Sequence, residues 1–212
     1  PTSGSVKIFG MDPADRRVKE RIGFLPEESY LHRFLSARET LDFYGSLFSI
    51  PASVVAARRD ALLARVGLAS AADRPVSEYS KGMARRLGLA QALINEPELL
   101  LLDEPTSGLD PVGTSEVKDL LIELKGRGVS ILLCSHLLAD MEGVCDRILM
   151  LAEGETCLEG TVDGLLNDPE WITLTTRRPA GRPEDAYVKL LQDAGAGEVR
   201  AAPARRSLER LF

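Results

Sequence analysis

Asp103 and Glu104 close a run of four leucines at positions 99–102, and Pro105 follows them. A short apolar run stopped by proline is the pattern of a buried strand rather than a helix. Two carboxylates at the C-terminal end of such a strand stand at the rim of a sheet, where open α/β folds bind their ligands. Carboxylates paired there divide two tasks. One holds Mg²⁺ directly or through water, and the other orients a nucleophilic water. A strand that merely leaves the core at two acids would look the same, so the flanking residues must decide.

Upstream, Ser80-Lys81-Gly82-Met83 opens a stretch with Leu87, Ala90, Leu93 and Ile94 at helical spacing, which stops before Pro97. A serine and a glycine at a helix start offer a hydroxyl, bare N–H groups and the positive dipole end to a phosphate. Downstream, Ser107-Gly108-Leu109-Asp110 forms a turn cluster ahead of an amphipathic helix carrying Val117, Leu120, Leu121 and Leu124. A second apolar strand, Ser130–Cys134, runs into Ser135-His136. Taken singly, a Ser-Gly helix start is an ordinary cap and a histidine after a strand is an ordinary structural residue.

Taken in order they resemble something. YSKGM is similar to the signature sequence of ATP-binding cassette (ABC) ATPases, with Tyr for Leu and Lys-Gly-Met for Gly-Gly-Gln. LLLLDEP looks like their Walker B strand, SGLD like their D-loop, and His136 like their switch histidine. The resemblance runs from the first residue to about Thr161. It implies a P-loop NTPase-like α/β fold, with a largely parallel sheet flanked by helices, an inserted helical subdomain and a small C-terminal α+β appendage. The implied reaction is ATP + H₂O → ADP + phosphate. In it Asp103 holds Mg²⁺, Glu104 polarises the attacking water and His136 contacts the γ-phosphate. Ser80 and Gly82 are implied to contact ATP bound to a second ATP-binding subunit, with Asp110 linking the two sites of that dimer. The implied setting is the inner, cytoplasmic face of the cell membrane, reached through a transmembrane permease partner.

Residues 21–26 (RIGFLP) read as another buried strand, with Glu27-Glu28-Ser29 after it. By resemblance this is the Q-loop, whose usual glutamine is here Glu27. An ionised carboxylate can still ligate Mg²⁺ but cannot donate a hydrogen bond. A solvated acidic turn is the plain alternative. Residues 36–50 begin with a capping box, Ser36 and Glu39, and residues 54–66 form a second helical stretch closed by Gly67. With the helix after Ser80 these make a helical subdomain over about 28–96, where transporters of the resembled family meet their membrane partner.

The expected division is an ATPase domain over 1–168 and an α+β extension over 169–212. Residues 139–145 read as a short helix, 147–151 and 155–158 as a hairpin about Glu153-Gly154, and 161–166 as a capped helix. Beyond these, 171–176 alternate like a strand, 176–183 form a basic Pro/Gly-rich linker, 184–194 read as a helix and 198–202 as a strand. The closing SLERLF is similar to the end of exporter-type cassettes.

The whole of 212 residues, 44% hydrophobic and 27% charged, suits one domain or one and a half with a sizeable core. A net charge of −6 argues against nucleic acid as a partner. Cys134, Cys145 and Cys157 lack metal-ligand spacing and read as free thiols in a reducing compartment. No apolar run approaches the roughly 20 residues of a membrane span, so any membrane role is expected through the permease.

Pro1-Thr2-Ser3-Gly4 reads as a turn feeding a strand at 5–9. The phosphate-cradling pattern GxxxxGK(S/T) does not occur in the 212 residues. The expectation is a chain truncated at its N-terminus before that loop, and inactive by itself. Two further classes stay open. One is an ABC protein of translation or DNA maintenance without a permease, and the other is a non-catalytic interaction module.

Overall fold

The computed structural model describes residues 3–137, 143–166 and 184–193. The chain divides into two compact units, Pro1–Cys145 and Asp146–Phe212.

In the first unit the expected strand at 5–9 does not form. Among the described residues there is only an isolated antiparallel bridge between Ile8 and Met11. Phe9 (φ 53°) and Gly10 (φ 75°) turn the chain between them, and a strand needs a partner for its N–H and C=O groups. The Arg21 guanidinium stacks 3.8 Å from the centre of the Phe9 ring. A single helical turn, α1 (Arg16–Lys19), is capped by Asp15 and leads into β1 (Ile22–Leu25).

Helix α2 (Ala37–Ser46) has the capping box that its sequence announces: Ser36 Oγ accepts from Glu39 N–H, and the Glu39 carboxylate accepts from Ser36 N–H. It ends at Ser46, earlier than the expected 50, because the chain turns at residues 47–50 with Leu47 and Phe48 N–H bonded back to Tyr44 and Gly45. Helix α3 (Ala52–Arg65) closes in a Schellman arrangement. Gly67, at φ 70°, and Leu68 donate to the Ala64 and Leu63 carbonyls.

Helix α4 (Lys81–Leu93) is buried nearly all round: Arg85, Leu87, Gly88, Leu89, Ala90, Ala92 and Leu93 are inside. It packs against both β1 and the α2–α3 pair. The approach to β1 is so close that a Cβ on Gly23 would lie 2.0 Å from the Ala92 carbonyl oxygen.

After α4 come β2 (Leu99–Asp103), α5 (Pro111–Gly126) and β3 (Ser130–Cys134). The three strands form a parallel sheet in the order β1-β2-β3, with Leu25 opposite Leu102 and Asp103 opposite Cys134. Leu25, Leu100 and Leu102 are buried in the core with Leu41, Leu87, Leu89 and Ile94. The row Phe24-Leu101-Leu132 crosses the other face, and Phe24 and Leu132 are exposed. A parallel sheet with helices in its connections is the α/β architecture that the apolar runs predict.

In the second unit β4 (Arg147–Ala152) pairs antiparallel with β5 (Glu155–Thr161). Glu153 and Gly154 both take positive φ, as a two-residue type I′ hairpin turn requires. Thr161 Oγ1 caps α6 (Val162–Leu166) by accepting from Gly164 N–H. A further helix, α7, spans Glu184–Asp193.

The expected strands at 171–176 and 198–202, the linker at 176–183 and the terminal SLERLF lie outside the described residues. So does most of the expected helix at 139–145, of which the described part is a turn. No helix among the described residues is long and apolar enough to cross a membrane.

Candidate active site

Strand β2 delivers Asp103 and Glu104 to the C-terminal rim of the sheet, as its apolar run predicts. The chain then breaks from extended geometry: Glu104 sits at φ 50°, a left-handed conformation that costs a non-glycine residue about 1–3 kcal/mol. Three contacts hold it there. Its N–H donates to the Cys134 carbonyl at 2.9 Å. Its own carbonyl accepts from Arg85 Nη2 at 2.7 Å. The side chain turns toward the loop after β3, where His136 N–H donates to Oε1 at 3.0 Å and His136 Nδ1 lies 2.7 Å from the same oxygen. Ser135 Oγ is 3.5 Å from Oε2.

The carboxylate of Glu104 is therefore sheltered, with its side chain 16% exposed, whereas the His136 side chain is 73% exposed. The hydrogen bond and the negative charge of Glu104 hold the His136 imidazolium above the ordinary histidine range, with a smaller push from Glu27 and with desolvation opposing. Sequence reading put Glu104 and His136 in one site, and the structure joins them directly.

Asp103 is half-buried, and its carboxylate makes no hydrogen bond or ion pair with a described residue. Glu27 is exposed just past β1. Among the described residues no three His, Cys, Asp or Glu side chains gather into a metal cage. Mg²⁺ bound against phosphate does not need one, because one or two carboxylates suffice when water and phosphate oxygens fill the other positions. The uncommitted Asp103 carboxylate, with Glu27 on the neighbouring strand end, fits that requirement.

The remaining predicted residues form a second group at the start of α4. Ser80 is its N-cap, and Ser80 Oγ accepts from Met83 N–H at 3.1 Å. Gly82 lies against the turn after Glu104: a Cβ there would be 3.4 Å from the Gly108 carbonyl oxygen. Asp110 caps α5 by accepting from Gly113 N–H at 2.8 Å. Arg86 reaches across to Asp110 (3.8 Å) and Glu116 (3.1 Å). Among the described residues no hydrogen bond or ion pair joins Ser80, Gly82 or Asp110 to the carboxylates of the first group, so the predicted residues sort into two clusters rather than one.

Sequence reading missed Arg85. This residue is 5% exposed, and its guanidinium spans the ends of two strands. Nη1 donates to the carbonyls of Pro26 and Glu27, and Nη2 to those of Asp103 and Glu104. Burial pulls its pKa down, and the charges of Asp103, Glu104 and Glu27 push it back up. One signal was available. Arg85, Gly88 and Ala92 share a stripe of α4 at i, i+3 and i+7, and two small residues there mark a face pressed against a strand. A cation at the end of such a stripe must find polar partners inside.

The family model described as "ABC transporter" matches residues 1–107. The chain is 45% identical over 168 residues to an uncharacterized ABC transporter ATP-binding protein, all4389, of Nostoc sp., an alignment that covers 78% of this chain and 50% of that protein. It is 39% identical over 166 residues to the lantibiotic transport ATP-binding protein SrtF of Streptococcus pyogenes, covering 78% of this chain and 70% of that one. The chain thus spans about half the length of the first of these relatives. Among solved structures it resembles cbiO1 of Clostridium perfringens, part of the ABC transporter complex cbiONQ, at 29% identity and a TM-score of 0.67, over 78% of this chain and 68% of that one. The motif order, the parallel sheet that carries it and the matched family model agree: this chain belongs to the ABC transporter ATP-binding family.

Proposed function

We propose that this chain carries the hydrolytic carboxylate of an ATP-driven transporter subunit. The observation that carries the reading is the Glu104–His136 pair at the end of β2, with the uncommitted Asp103 beside it. Glu104 Oε2 has only a long contact to Ser135 Oγ, which leaves it able to accept a hydrogen bond from water. In the proposed reaction Glu104 orients and polarises the water that attacks the terminal phosphate. His136 fixes the carboxylate through its N–H and Nδ1 and turns its exposed ring edge toward the γ-phosphate. Asp103, with Glu27, would hold Mg²⁺, which when bound neutralises phosphate charge.

Ser80 and Gly82, at the N-terminus of α4, are read as the half of the site offered to ATP on a second subunit, with Asp110 as the link between the two. A helix start with a hydroxyl and a bare glycine is suited to phosphate oxygens. We read the helices between Glu27 and Leu99 as the subdomain that meets a transmembrane permease, and 169–212 as a separate α+β extension. On that reading the protein works at the inner face of the cell membrane, held there by its partner. The transport named for SrtF and the exporter-like SLERLF terminus favour an export system.

The test is Glu104→Gln in the full-length gene product. ATP turnover is expected to fall about 10²-fold or more, the scale of a lost general base, with Mg-ATP binding retained. Unchanged turnover would move the catalytic role to another residue.

A further inference from the structure

Arg85 is the one charged residue among the buried positions described, and it touches neither a surface anion nor the second cluster. All four of its bonds go to main-chain carbonyls, two at the end of β1 and two at the end of β2. The β1–β2 ladder ends at the pair Leu25–Leu102. Pro26 has no N–H to continue it, so past this point the two strand ends have no ladder bond to set their spacing. The guanidinium sits where the ladder stops.

We propose that Arg85 is a positioning residue, a clamp that replaces the interrupted ladder and sets Glu104, Asp103 and Glu27 in register at one rim. The proposal rests on the reading of Glu104 as the residue that orients water.

Guanidinium is suited to this in two ways. Its planar fork presents separate N–H pairs in fixed directions, which an ammonium cannot do. Its charge also lies among three carboxylates that would otherwise repel one another. The bond to the Glu104 carbonyl fixes the peptide that follows the left-handed Glu104, and with it the direction in which the carboxylate leaves the strand. Gly88 and Ala92, on the same stripe of α4, let the helix approach β1 closely enough for the fork to reach both ends. Arg85 acts through the backbone and never meets the nucleotide.

The experiment compares Arg85→Lys and Arg85→Gln with the unaltered full-length gene product. Lysine keeps the charge and loses the fork; glutamine keeps a planar donor pair and loses the charge. For Arg85→Lys, kcat is expected to fall about ten- to a hundred-fold, the scale of a misplacement of about 1 Å, with KM for ATP held within about threefold. The second readout is the His136 backbone amide resonance without nucleotide, assigned by its loss in His136→Ala. That amide donates to Glu104 Oε1, so a re-aimed carboxylate shifts it. Wild-type kcat and an unmoved amide in a folded Arg85→Lys protein would overturn the proposal. So would an activity loss that tracks melting temperature while the amide stays in place, or a failure of both variants to fold, since Arg85 would then serve the fold alone. If the unaltered protein does not turn over ATP, the catalytic reading fails, and the amide shift still decides whether Arg85 aims Glu104.

Discussion

The Nδ1 atom of His136 lies 2.7 Å from Glu104 Oε1, and the backbone N–H of the same histidine donates to that same oxygen at 3.0 Å. One residue thus grips one carboxylate oxygen twice, across a sequence separation of 32. The other oxygen has only the Ser135 hydroxyl near it, at 3.5 Å. Such a grip fixes the direction of the side chain proposed to orient the attacking water.

The first prediction follows from the charge in that grip. Glu104 raises the His136 pKa in the folded chain, first through the hydrogen bond and then through its charge. The unfolded value is about 6.5. The pair's contribution to stability is therefore fully present below about pH 6.5 and disappears as pH rises through the raised folded value. Urea unfolding should show a larger gap between wild type and His136→Ala at about pH 5.5 than at about pH 9. The His136 ring should titrate above the ordinary range by NMR and drop back in Glu104→Gln. Equal gaps at both pH values would mean that the imidazolium does not stabilise the fold through Glu104.

A second prediction concerns the seam between β1 and α4. A methyl group at Gly23 would lie 2.0 Å from the Ala92 carbonyl and 2.9 Å from Leu100 Cδ1. The first of these obstacles is backbone and cannot rotate away. Gly23→Ala should lower stability by at least about 1–3 kcal/mol, the usual penalty for overpacking, as read by denaturant midpoint at unchanged slope. Because the strand and helix that separate are those carrying Glu27 and Arg85, the His136 amide should shift as well. Wild-type stability in that variant would show that the two elements part easily.

The third prediction is about nucleotide. The 212 residues contain no GxxxxGK(S/T), and what they offer to phosphate is the N-terminus of α4 with Ser80 and Gly82. A helix terminus contributes about 0.3–2 kcal/mol, whereas a 1 mM dissociation constant already needs about 4 kcal/mol. Calorimetry of the 212-residue chain with Mg-ATP should therefore detect no binding at micromolar protein. A micromolar Kd would mean that the residues present build a complete pocket, and the division of the site between two subunits would have to be given up.

How much of this was legible in the sequence follows the range of the forces involved. Capping boxes, helix stops and apolar strands are local, and each acts within a few residues. Ser36 with Glu39, Ser80 before α4, Asp110 before α5 and Gly67 after α3 all stand where the chain alone placed them. The order of the motifs likewise points to Asp103, Glu104 and His136.

Strand formation at 5–9 was not legible, because the alternation there says nothing about whether a neighbouring strand is present to take its hydrogen bonds. Tertiary structure alone decided three further things. It brought His136 onto Glu104, it set the gap at Gly23 that only a hydrogen fills, and it turned Arg85 inward. In sequence Arg85 and Arg86 differ only in the small-residue stripe that Arg85 shares with Gly88 and Ala92, which marks a packed face without saying what it meets. A helix places successive side chains about 100° apart, so one enters the core between two strand ends while the next reaches Asp110 and Glu116 on the surface. Which of the two meets carbonyls depends on where β1 and β2 end against α4, and that is a property of the packed molecule.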